Sequence, residues 1–168
     1  ALSTLDPAKR TILILYALPN GNTTEQTAGR QLREGDDWRF DIQHIAAQTR
    51  FLRHALADAN LITVYLEAGG KSWPAWRRQH PGSSREIVAI VDSLSERFRP
   101  LHPKLALSGH SGGGSFIFGY IDGVQDIPPQ VERIAWLDAV YGYEDSLHGE
   151  KLLRWLRNGE NHSLAVFA

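Results

Sequence analysis

Five residues, Gly109-His110-Ser111-Gly112-Gly113, constrain this chain more than any other stretch. They join the apolar run Lys104-Leu105-Ala106-Leu107-Ser108 directly to the helix-like run Gly114-Ser115-Phe116-Ile117-Phe118. A strand has to become a helix within a residue or two of Ser111. So abrupt a turn holds its central residue in a strained backbone conformation, with the side chain projecting from the sheet edge. The residues two before and two after must lack side-chain bulk for strand and helix to approach. Gly109 and Gly113 meet that need.

The rest of the chain repeats the same alternation. Thr11-Ile12-Leu13-Ile14-Leu15-Tyr16 is a continuous β-favouring run suited to a sheet buried on both faces, and Pro19-Asn20-Gly21-Asn22 ends it in a loop. Apolar residues Ile45, Ala46, Phe51, Leu52, Leu56 and Ala57 recur at helical spacing and predict an amphipathic helix between about Asp41 and Asn60. Leu61–Leu66 is a second buried strand, with Gly69-Gly70-Lys71-Ser72-Trp73-Pro74 as the loop beyond it. Ser83 or Ser84 can cap the next helix, with Glu86 reaching back as in a capping box. After the strand at 104–108 come a short helix through about Ile121, a strand at Arg133–Leu137, a helix capped by Ser146, and a fifth strand at Ser163–Phe167. Such alternation predicts parallel strands with right-handed crossovers, helices on both faces, and functional loops at the strands' C-terminal ends.

Composition narrows the classes of function. With 168 residues, 42% of them hydrophobic, residues 1–168 are expected to form one globular domain with a real core. Lys and Arg number 18 against 19 Asp and Glu, which leaves no electrostatic footprint for nucleic acid or an anionic membrane. No apolar run approaches the ~18 residues of a membrane helix. Cysteine is absent, which removes disulfides, thiolate metal sites and a cysteine nucleophile, and leaves the cellular compartment open. Methionine is absent even at position 1, so the expectation is an N-terminus made by processing, proteolysis or trimming.

A serine hydroxyl is a weak nucleophile at neutral pH. It needs a histidine to take its proton, a carboxylate to orient that histidine, and amide donors to receive the oxyanion. Gly112 offers one such amide, and Asn20, Gly21 and Asn22 hold the place in chain order from which a second donor comes. Residues of the form G-x-S-x-G also occur in plain flexible turns. The flanking strand, the following helix and the upstream Asn-Gly loop are the context that a nucleophile elbow requires.

The order of elements from Thr11 to Phe167, with Gly-His-Ser-Gly-Gly after the third strand and Leu137-Asp138 after the fourth, resembles the α/β-hydrolase fold. More narrowly, Leu18-Pro19-Asn20-Gly21-Asn22-Thr23 together with Ser108–Gly114 is similar to bacterial serine esterases of that superfamily. The resemblance implies hydrolysis of a small-molecule carboxylic ester through an acyl-serine intermediate at Ser111, with no metal or organic cofactor. It does not identify the acyl or leaving group.

The chain departs from that pattern at its end. In the resembling order the acid and then the histidine follow the serine, the histidine after a final strand, and here Phe167 and Ala168 close the fifth strand. The expectation is a second polypeptide, most simply the remainder of a cleaved precursor, that adds the C-terminal strand and the catalytic histidine. Asp138 is the best acid within the chain, against a cap or loop-anchoring role. His148 and His162 are the internal candidates for the base, with surface histidine as the alternative for each. His110 is expected to point away from Ser111 and to pack or shape the acyl site. Trp73 and Trp76, and likewise Tyr141 and Tyr143, either line a substrate pocket or pack as large rings. Arg77, Arg78 and His80 form either a carboxylate-attracting cluster or a solvated basic loop.

The rival from another class is a non-catalytic binding protein of the same fold. A phosphate-binding loop at Gly112-Gly113-Gly114 is a further rival. No Lys-Ser or Lys-Thr follows those glycines, and Ile117 breaks the G-x-G-x-x-G spacing. The histidines show no metal-ligand spacing.

Overall fold

A computed structural model describes residues 5–167. Five strands form one sheet: β1 (Arg10–Ala17), β2 (Ala59–Leu66), β3 (Lys104–His110), β4 (Val131–Leu137) and β5 (Ser163–Phe167). Their spatial order is β2-β1-β3-β4-β5, and every neighbouring pair is parallel. All five strands therefore end at one edge of the sheet, and the loops that leave that edge carry Asn20, Ser111 and Asp138. The order reverses between β1 and β3, where a doubly wound sheet opens a crevice.

Alternation along β1 divides the core. Leu13, Leu15 and Ala17 join the larger apolar cluster, and Ile14 and Tyr16 the smaller one. Helices cover both faces accordingly. α2 (Ile45–Ala55) brings Ile45 to the smaller cluster. The larger cluster receives Trp73 from α3 (Trp73–Gln79), Ile87 and Val91 from α4 (Ser83–Arg97), Phe116 and Ile117 from α5 (Gly114–Gly123), and Leu152 and Trp155 from α6 (Asp145–Arg157). Complete burial of side chains of this size stabilises by about 1.5–3 kcal/mol each. No helix among the described residues is long and apolar enough to cross a membrane.

Several local expectations are corrected. The helix expected over 41–60 shortens to Ile45–Ala55, because His44 in the left-handed region breaks it at the front and β2 has begun by Ala59. Phe51, assigned to its inner face, is 71% exposed. No capping box opens α4, since Gly82 at φ 86° precedes it without a side-chain cap. That motif closes instead around Thr23 and Gln26 at the start of the short α1 (Thr24–Ala28). Ser146 does not cap α6, whose N-cap is Glu144. Trp73-Pro74 is not loop but the first turn of α3, capped by Ser72.

Candidate active site

Ser111 follows the last residue of β3 at φ 50°, in the left-handed region that non-glycine residues seldom adopt. One 3-10 turn, Ser111–Gly113, then feeds α5. The neighbouring glycines make this turn possible. A Cβ on Gly109 would come within 2.7 Å of the Gly113 backbone, and one on Gly113 would run into the Ala17 carbonyl of β1. The turn thus presses against the adjacent strand, and Ser111 has no slack in which to relax.

The half-buried Ser111 lines a cavity of about 170 Å³. Gly112, Ser115 and Phe118 of the same turn and helix share its wall, together with Arg77 of α3 and Tyr141 of the loop after β4. Asn20 lies over Gly112, close enough that a Cβ there would meet its side-chain amide. Gly112 and Asn20 therefore stand together beside the serine. Gly21 does not join them as a donor, since its N–H is given to the Lys71 carbonyl at 2.8 Å.

Asp138 is exposed one residue past β4, also in the left-handed region at φ 47°. Its N–H donates to the Phe167 carbonyl at 2.6 Å, and its Oδ1 accepts from the Tyr141 hydroxyl at 2.5 Å. This bond raises the Tyr141 phenol above its ordinary pKa. Tyr141 itself is 72% exposed at the rim of the cavity.

His110 belongs to a separate chain of hydrogen bonds. Tyr16 donates to Gln43 Oε1 at 2.7 Å, and Gln43 Nε2 donates to His110 Nδ1 at 2.5 Å. Accepting at Nδ1 places the neutral ring's proton on Nε2. Burial holds this imidazole below its ordinary pKa, opposed by the Asp138 carboxylate.

Neither internal candidate for the base reaches Ser111. His148 is 2% exposed; its Nδ1 accepts from the Glu144 N–H at 2.9 Å and its Nε2 meets Asp122 Oδ1 at 2.9 Å. His162 stacks on Trp155 and bonds to the Trp155 and Pro129 carbonyls, at the opposite end of the sheet. Among the described residues no imidazole is hydrogen-bonded to the Ser111 hydroxyl.

Of the two readings open for Trp73, its contacts describe packing. It is 4% exposed, donates to the Leu66 carbonyl at 3.0 Å and meets Phe116 edge-on. Arg77 and His80 are not a solvated loop. Arg77 donates to Asp122 at 2.7 Å and to the Ser115 carbonyl at 3.0 Å, and His80 stacks on Trp76. Ser115 and Phe118 were not singled out in the sequence. Both lie in the first turns of α5, three residues apart and so on one face of that helix, which is a legible signal.

No family model, curated protein or solved structure matches this chain. The structure shows a parallel α/β sheet, a fold that by itself fixes no function.

Proposed function

We propose that the protein is a serine hydrolase of α/β-hydrolase type that cleaves a small carboxylic ester through an acyl-serine at Ser111. The carrying observation is a serine at φ 50° between a buried parallel strand and a helix, facing a cavity that it shares with Gly112. In this reading Ser111 Oγ attacks the carbonyl carbon as its proton passes to a base, and the Gly112 amide receives the oxyanion. Asn20 supplies the second donor. The N-terminus of α5 adds its dipole at the same point.

The base comes from outside the described residues in this reading. A second polypeptide segment pairs with the open edge of β5, beyond which no strand of the described residues lies, and carries a histidine to the edge where the strands end. Asp138, beside the end of β5, is the acid that orients it. That no imidazole among the described residues is hydrogen-bonded to Ser111 is the observation that favours the second reading, a binding protein of the same fold that does no chemistry.

Labelling with a fluorophosphonate separates the two. The hydrolase reading expects Ser111 to take the label far faster than any other serine, and Ser111→Ala to lose both labelling and turnover of p-nitrophenyl acetate. A wild-type protein that stays unlabelled and inert with its second polypeptide bound selects the binding protein.

A further inference from the structure

The cavity at Ser111, about 170 Å³, is well below the ~300–1,000 Å³ of sites that enclose a whole drug-sized ligand. One of its walls, Phe118, also lines a second and more apolar cavity of about 700 Å³ that Trp136, Leu152 and Val166 help to form. The loop after β4 has the same double role: Tyr141 and Gly142 face the first space, Val140 and Tyr143 the second. Phe118 is therefore a partition. Its ring is 3% exposed, stacked on Trp136 with centroids 5.0 Å apart and packed against His148 at 4.8 Å, so it is held from behind.

The polar wall of the smaller cavity carries no uncommitted charge. Arg77 is paired with Asp122 and spans to the Ser115 carbonyl, and its buried Nε, which has no partner, lies across Gly119 of α5. A carboxylated group would find its cation already neutralised.

We infer that this cavity is an acyl pocket that admits only short, uncharged acyl groups, with Phe118 setting the limit. The inference rests on the hydrolase reading. In the first half-reaction the Ser111 Oγ–carbonyl bond forms, the ester C–O bond breaks, and the serine proton leaves on the alcohol by way of the base. In the second, water adds to the same carbon, the Oγ–carbonyl bond breaks, and a proton returns to Ser111. The alcohol departs after the first step, whereas the acyl group stays lodged beside Ser111 and Gly112 through both. The space those two residues line is the acyl group's.

The test is kcat/KM on p-nitrophenyl acetate, butyrate and octanoate. Octanoate is expected at least about tenfold below butyrate, on the scale by which apolar pockets discriminate chain length. Phe118→Ala opens the partition and brings octanoate to within about threefold of butyrate. Because that change can also unfold the core, Ser115→Val narrows the cavity from its other wall. It is expected to lower butyrate about tenfold relative to acetate with an unchanged melting temperature. A wild type labelled at Ser111 that hydrolyses octanoate as well as butyrate overturns the short-acyl pocket alone, as does a Ser115→Val protein with the wild-type ratio. No turnover of any ester and no labelling with the second polypeptide bound removes the hydrolase reading, and this inference with it.

Discussion

Ser111 and Asp138 both hold positive φ, at the ends of the adjacent strands β3 and β4. Each such residue costs about 1–3 kcal/mol, a cost that persists only where the surroundings over-determine the backbone. Here they do, through Gly109 and Gly113 at one position and the bond to Phe167 at the other. His110, the last residue of β3, makes a prediction about pH. Burial lowers its pKa below the ordinary 6.5, so the unfolded chain binds more protons than the folded one in the window just under that value. Stability from this group is complete above pH 6.5 and falls as pH drops through the window toward the folded-state value. His110→Gln, which can still accept from Gln43, is expected to flatten that part of the curve. Urea midpoints at pH 7 and pH 5 check it, and equal acid losses in wild type and variant would refute it. At this scale the sequence was informative about Ser111, whose glycine neighbours announce the turn. It was silent about the Gly21 amide, whose partner Lys71 lies fifty residues away and is set by how two loops meet.

The elements around the site are braced by one polar cluster. Asp122 of α5 takes Arg77 of α3 on Oδ2 and His148 of α6 on Oδ1, and Arg77 continues to Ser115 in the first turn of α5. Two helices, α3 and α6, are thereby fixed to α5, the helix that follows the Ser111 turn. Asp122→Ala leaves the buried Nε2 of His148 without a partner and Arg77 without its counter-charge. The expected loss is about 1–3 kcal/mol of unfolding free energy by denaturant titration. The exposed Arg154 pairs with Asp126 and Glu150, and Arg154→Ala is expected to cost only about 0–1 kcal/mol. Similar losses in the two variants would mean that the cluster braces nothing. Apolar runs made all five strands legible; for the central β1 and β3 the cause is cover on both faces, whereas β5 carries its run largely exposed at the sheet edge. α3 was hidden because Pro74 suggests a break, although proline at the first turn after a capping Ser72 begins a helix instead. The start of α4 was misplaced because Ser83 matches a cap by residue type, whereas Gly82 takes the cap position by its backbone.

At the scale of the whole molecule the sheet is unequal at its two sides. β5 pairs with β4 over all five of its residues in regular register and bears no charge, proline or bulge, the devices by which edge strands discourage pairing. Val166 and Phe167 are 51% and 63% exposed along it, and the strand ends beside Asp138. A segment added in parallel would lie about 4.8 Å from β5 and end at the same edge as Ser111. Delivery of the base by that route makes activity depend on a strand that touches no substrate. Val166→Lys places a charge where the segment would pack, while its exposed position leaves the existing core intact. Fluorophosphonate labelling of Ser111 is then expected to slow by about tenfold or more, as for loss of a general base, with the circular dichroism spectrum unchanged. Ser111→Ala fixes the zero of that measurement. Labelling at the wild-type rate in a folded Val166→Lys protein would show that the base does not arrive along β5.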